Sequence, residues 1–149
     1  MKTKFHRGQQ GVMMIEALVG ILIFAVGIIG LMGLQSAAIA NTVEAKYRSD
    51  AAFYANQIIG AMWVDKVRVA VSPSLYDTSN PLAIANTELQ AWKASVQASL
   101  PQATGALAPS VAVVNNLGGY DVTVTVFWQK PGQSDSHKFL TVARIDYNP

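Results

Sequence analysis

From Ala17 to Leu34 the chain runs 18 residues without a polar or charged side chain. At about 1.5 Å per residue, a helix of that length comes close to the roughly 30 Å hydrocarbon core of a bilayer. Val12–Ile15 and Ala37–Ala40 extend the run at either end. After Gln35 the pattern turns from continuous to periodic. Apolar or aromatic residues recur at Ile39, Val43, Tyr47, Ala51, Tyr54, Ile58 and Met62. Steps of three and four place them on one face of a helix. No proline falls between Val12 and Val71. The pattern therefore predicts one long helix from about Val12 to about Lys66. Residues 12–36 form its transmembrane part. Residues 37–66 continue it as an amphipathic segment whose stripe lies against a globular head. Glu44–Arg48 and Lys46–Asp50 have i,i+4 spacing on its other faces, each pair adding a few tenths of a kcal/mol.

The head spans 67–149. Ser72–Pro81 is a loop by its Pro, Ser, Asn and Asp content. A short helix is expected over about 88–100, where Leu89, Trp92, Val96 and Leu100 share a face and Pro101 stops it. Thr87 and Gln90 have capping-box spacing. Gln102–Ser110 is a second loop. Three strands follow, at about 111–115, 120–130 and 137–147, joined by turns at Asn116–Gly119 and Pro131–Asp135. In the second strand Tyr120, Val122, Val124, Val126 and Trp128 alternate with Asp121, Thr123, Thr125 and Gln129, with Phe127 as the exception. The facing of the third stays open, because Leu140 and Val142 compete with Phe139, Ala143 and Ile145. Trp63, Trp92 and Trp128 read as core residues. The fold class is α+β: a long N-terminal helix packed on a small antiparallel meander.

Composition localises the rest. Hydrophobic residues make up 51% and charged residues 13%, and the apolar excess sits in the span. Lys2, Lys4 and Arg7 precede it with no acid among them, so the N-terminus stays cytoplasmic and the head lies outside. Without those three cations the balance is 8 Lys+Arg against 9 Asp+Glu, so the pI of about 9.0 gives no reason to expect a nucleic-acid partner. There is no cysteine, hence no disulfide or thiolate chemistry. His6 lies in the basic leader, and His137 alone cannot build a common zinc site. His137 reads as a solvated surface residue. Asp65, Asp77, Glu88, Asp121, Asp135 and Asp146 are scattered and read as solvated. No phosphate loop, nucleophile elbow or pair of catalytic acids is present. The expectation is a protein that is not an enzyme and takes no cofactor or metal. Ser72–Pro81 and Gln102–Ser110 are the loops on which a binding surface could be built.

Glu16 is the residue that an ordinary span does not explain. A secretory signal has an apolar core of about 7–15 residues, shorter than this one. A simple signal anchor has no use for a carboxylate. The sequence before the span is informative: a short basic leader ends in Gly11, then come Val12-Met13-Met14-Ile15-Glu16 and the apolar helix. This arrangement resembles the class III signal of type IV pilins and pseudopilins. The stretch Ile15–Gln35, ending Gly30-Leu31-Met32-Gly33-Leu34-Gln35, is similar to the helix of minor pilins of the type IV pilus modification protein PilV group. Val12 stands where most members of that family carry phenylalanine.

The resemblance implies cleavage after Gly11 by a prepilin peptidase, which removes residues 1–11, and N-methylation of the new terminus at Val12. It implies an inner-membrane subunit that later enters a pilus with other minor pilins and the major pilin. The expected function is initiation or capping of pilus assembly. A minor pseudopilin of a type II secretion system and a pilus-tip adhesin are the alternatives. The physics of Glu16 agrees with an assembly role. Cleavage frees an ammonium at Val12, and an unpaired carboxylate and an unpaired ammonium are both expensive in an apolar bundle. Bringing Glu16 of one subunit to the amine of its neighbour satisfies both and fixes the axial register. Gly20, Gly27, Gly30 and Gly33 would let helices approach closely. They could equally allow local extension, or reflect only the frequency of glycine in membrane helices.

Overall fold

The computed structural model describes residues 10–146, so the basic leader residues Lys2, Lys4, His6 and Arg7 and the end of the third strand at Tyr147 lie outside the described residues. The chain divides into two compact units, Met1–Val43 and Glu44–Pro149. Helix α1 (Gln10–Val64) belongs to both.

In the first unit every described residue from Gly11 to Thr42 is exposed. The helix contains an 18-residue window of mean hydropathy 2.7 with nothing of it buried, which makes it a candidate membrane span. Nothing within this unit covers those side chains, so their solvent must be supplied from outside the chain.

The second unit holds the head and the last part of α1. That helix ends at Val64, Asp65 forms a turn, and α2 (Lys66–Val71) follows. The i→i−4 ladder runs through the break, with the Asp65 N–H donating to Ala61 O at 3.0 Å and the Val69 N–H to Asp65 O at 3.1 Å. Helical structure thus continues past the predicted end near Lys66. The expected loop at Ser72–Pro81 holds a 3₁₀ turn at Pro73–Leu75, and a second 3₁₀ turn, Pro81–Ala85, leads into α3 (Thr87–Ser99). Proline at the first position of each fits, because its missing N–H has no helical partner there.

Asn86, not a Thr87–Gln90 capping box, starts α3. Its side-chain oxygen accepts from the Glu88 and Leu89 N–H groups, at 3.1 and 3.2 Å, and its amide donates to Leu75 O. Asn86 is 3% exposed, and this triple use is what makes its burial tolerable. Gln90 instead donates to Ala83 O.

The sheet is a meander of β1 (Ser110–Asn116), β2 (Gly119–Gln129) and β3 (Ser136–Asp146) in the order β1-β2-β3. Both pairs are antiparallel, with β2–β3 in unbroken register from Gly119↔Asp146 to Gln129↔Ser136. The β1–β2 turn needs its glycines. Gly118 has φ +80°, and a Cβ on Gly119 would meet Ile145 O at 2.7 Å.

Register settles the facing of β3. Val122, Val124, Val126 and Trp128 point into the core, so their partners Ala143, Thr141, Phe139 and His137 do too. Leu140 and Val142 fall on the outer face, 51% and 60% exposed.

The core lies between helices and sheet. Ala51, Ala55, Ile58 and Met62 come from α1, Val69 from α2, and Leu89, Trp92 and Val96 from α3. They meet Val111, Val122, Val124, Val126, Trp128 and Ile145. The Trp92 indole N–H donates to Tyr54 O at 2.8 Å and the Tyr120 hydroxyl to Ala70 O at 3.1 Å, tying α3 to α1 and β2 to α2. One stripe residue, Ile39, and one tryptophan expected in the core, Trp63, lie outside it. Ile39 is 65% exposed and Trp63 is 45% exposed. The core-facing positions of α1 are Ala51, Ala55, Ile58 and Met62, and Trp63 is one residue, about 100°, off that line.

Candidate functional site

The residues expected to be cleaved and to act in assembly sit on a single stretch of helix. Gly11 is the second residue of α1, it is exposed, and a Cβ placed on it would meet nothing within 4 Å. Its backbone is open to an enzyme. Val12 is 65% exposed and Glu16 is exposed one helical turn further on. Four residues of helix rise about 6 Å, and i,i+4 residues share a face. An amine created at Val12 would therefore lie on the same face as the Glu16 carboxylate.

Continuing that face brings in the glycines unequally. At about 100° per residue, Gly20 and Gly27 stay within about 40° of Glu16. Gly30 reaches the edge of that arc, on the side of Val12, and Gly33 rotates out of it. A Cβ placed on any of the four would meet nothing within 4 Å. Val12, Glu16, Gly20, Gly27 and Gly30 thus form one unobstructed strip, apolar except for a single acid.

The head carries a different polar cluster, which the sequence pattern misassigns. Glu44 does not pair with Arg48. Lys130 Nζ stands 2.9 Å from one of its oxygens and His137 Nδ1 3.3 Å from the other. His137 also stacks on Trp128, ring centroids 5.7 Å apart at 15°. His137 is therefore half-buried and paired, against the solvated role expected of it. The Lys130 hydrogen bond holds the Glu44 carboxyl below the ordinary value, against the opposing effect of burial, and His137 and the Trp128 indole N–H add to the lowering. The cluster fastens α1 to the ends of β2 and β3. Lys46–Asp50, the other predicted pair, does form at 3.0 Å.

Most of the acids read as solvated are engaged as well, Glu88 by the Tyr76 hydroxyl and Asp146 by Arg144 among them. The Tyr76 hydroxyl donates to Asp65 at 2.7 Å, and burial together with that bond pushes the phenol up. Asp77 accepts from the Ser79 N–H, the Ser79 hydroxyl and the Val113 N–H. Burial raises its carboxyl, but the Ser79 and Val113 bonds outweigh this and hold it below the ordinary value. Asp121 accepts from the Asn116 amide and lies 3.7 Å from Arg144. No local spacing links Glu44 to Lys130 or Asp65 to Tyr76. The available signals were the length of β2 and the aromatic–basic run Trp128–Lys130.

One cleft of about 380 Å³ is lined by Thr78, Ser79, Pro81, Ile84, Gln90 and Lys93. It uses part of the Ser72–Pro81 loop. Lys93 is the one charged side chain in its lining, and no acid, histidine or thiol stands with it. Among the described residues no cluster of three or more His, Asp or Glu could hold a metal ion.

No family model, curated protein or solved structure matches the chain.

Proposed function

We propose that the chain is a minor type IV pilin, a non-enzymatic subunit that is inserted in the inner membrane, processed by a prepilin peptidase and built into a pilus, where it helps initiate or cap assembly. The observation that carries this reading is the strip on α1. An accessible Gly11 is followed at the fifth position by a lone acid, Glu16, inside an apolar helix that nothing in its own unit covers. A membrane helix pays to carry such an acid, and a neighbouring helix with a free N-terminus is the partner that would offset that cost. In this reading Val12 is the methylated terminus, and Gly20, Gly27 and Gly30 are where the neighbour comes close. The head stays in the periplasm until the subunit enters the filament, in company with other minor pilins and the major pilin.

The resemblance at the N-terminus and the α+β layout of helix and meander support the proposal. N-terminal sequencing and intact mass of membrane-extracted protein test it. The expected mature chain begins at Val12 and has 138 of the 149 residues. An uncut Met1, or a cut near Ala40, overturns it. Gene deletion separates the alternatives: loss of pili supports the pilin, and loss of type II secretion with normal pili supports the pseudopilin. Normal piliation with lost attachment supports the adhesin.

A further inference from the structure

The two edges of the sheet are finished differently. Along β1, the Val111 N–H bonds the Thr78 hydroxyl, Val111 O accepts from the Thr78 N–H, and the Val113 N–H bonds Asp77. Asp77 and Thr78 thus cover that edge. They also reveal the hydrogen-bond phase of the meander. Val111 and Val113 point away from β2, so their partners Val124 and Val122 turn their backbone groups toward β3. On β3 those groups are met by Thr141 and Ala143. The alternate residues Lys138, Leu140 and Val142 therefore aim their N–H and C=O groups outward.

Nothing among the described residues answers them. The edge has no proline and no bulge, and its register runs unbroken over all 11 pairs. The residues with open backbone groups are also those with exposed side chains on the outer face, Leu140 at 51% and Val142 at 60%. An open edge of this kind is complementary to one thing, another extended chain.

Charge narrows the choice. The outer row of β3 reads Lys138, Leu140, Val142, Arg144, Asp146. Arg144 is engaged with Asp121, Asp146 and the Leu117 carbonyl. Lys138 has no ion pair among the described residues. A second copy lying antiparallel with Leu140 opposite Val142 would set Lys138 against Arg144 twice, and like charges directly opposite are unfavourable. Shifting it to place Val142 opposite itself sets Leu140 against Arg144 and Lys138 against Asp146, an acid that Arg144 already holds at 2.7 Å.

We infer that the open edge of β3 is a docking site for an extended strand of a different protein chain, one that carries two apolar residues to lie beside Leu140 and Val142 and an acidic residue to face Lys138. The strand becomes the fourth of the sheet and closes its outer face. This inference does not rest on cleavage at Gly11 and stands or falls separately from the pilin reading.

The test uses the full chain in detergent micelles and reads amide hydrogen exchange residue by residue. The probe is a short capped peptide of alternating Thr and Val, with one Glu near its C-terminal end to face Lys138 in an antiparallel fit. The control replaces that Glu with Lys. Without peptide, the Leu140 and Val142 amides should exchange freely while those of Thr141 and Ala143 are protected. The Glu peptide should slow Leu140 and Val142 by at least about tenfold, and the Lys peptide should not. Lys138→Glu should reverse the preference between the two peptides. Leu140→Pro removes an outward N–H without touching the β2 ladder, so it should abolish peptide protection while Thr141 and Ala143 stay protected. If that variant does not fold, Lys138→Glu decides alone. Equal protection by both peptides, no protection by either, or protection of Leu140 and Val142 without peptide that grows with protein concentration overturns the inference, the last by assigning the edge to a second copy.

Discussion

The two units of this chain handle their apolar residues in opposite ways. From Gly11 to Thr42 every described residue is exposed and one side chain, Glu16, carries charge. From Glu44 onward the large apolar residues are sorted, with Ile58, Met62, Trp128 and Val124 inside and most polar groups partnered. The head buries its own core, and the edge of β3 is where its backbone hydrogen bonds stay open. The N-terminal helix leaves its apolar surface and its acid uncovered within its own unit, as a candidate membrane span would. A substitution in the head should therefore be read in stability, and one in the helix in association. Each of the following measurements can break that division.

The largest effect is expected at Trp128, which is fully buried and holds His137 against its face. Trp128→Ala should cost the head about 3–5 kcal/mol, seen as a lowered unfolding midpoint in urea, with insertion of the helix unchanged. A full-sized loss of membrane insertion would contradict the independence of the units. Glu16→Val is the converse. Removing a charge from a membrane segment should leave insertion and Gly11 cleavage intact and leave head unfolding unmoved. Incorporation into sheared filaments should fall by well over tenfold, since about 1.4 kcal/mol is already a factor of ten. Immunoblots of membrane and pilus fractions read both halves. Normal incorporation would show that the amine at Val12 is satisfied without Glu16. Asp at this position should restore only part, being one methylene shorter.

Asn86→Ala should be smaller, about 1–2 kcal/mol, from the loss of the cap of α3 and of the amide bond to Leu75 O. Thr87→Ala should cost far less, and a reversed order would reinstate the capping box. The smallest effect concerns pH. The folded carboxyl of Glu44 is held below its ordinary value of 4.5. Its contribution is therefore present in full above about that pH and is lost as pH falls through the depressed folded value. Glu44→Gln should lower head stability by up to about 1 kcal/mol at pH 7, with the difference from the parent vanishing in acid. An equal difference at both pH values would mean that shape, not charge, holds Lys130 and His137 in place.

The sequence by itself determined the elements, which follow from periodicity along the chain, but not every local polar pair, since neither the Thr87–Gln90 capping box nor the Glu44–Arg48 pair forms. An unbroken apolar run of 18 residues has the length of a candidate span, and recurrence in threes and fours followed by alternation separates helix from strand. Leu89, Trp92, Val96 and Leu100 were legible as a buried face, and Asn116–Gly119 as a turn, for the same reason. The strip from Gly11 to Glu16 was also legible, because its spacing is local. Tertiary structure alone decided which partner each polar group takes. Glu44 has Arg48 one turn away, yet it turns to Lys130 and His137, since folding brings those side chains to an enclosed carboxylate and leaves Arg48 exposed. The facing of β3 was undecidable from its own apolar residues and was set by its register on β2. Trp63 looked like core by type and was left outside by an offset of one residue. Asp77 and Thr78 gained their role only when β1 came to lie beside them. Periodicity describes the face an element presents. Which distant group meets that face is decided by packing, which no local pattern encodes.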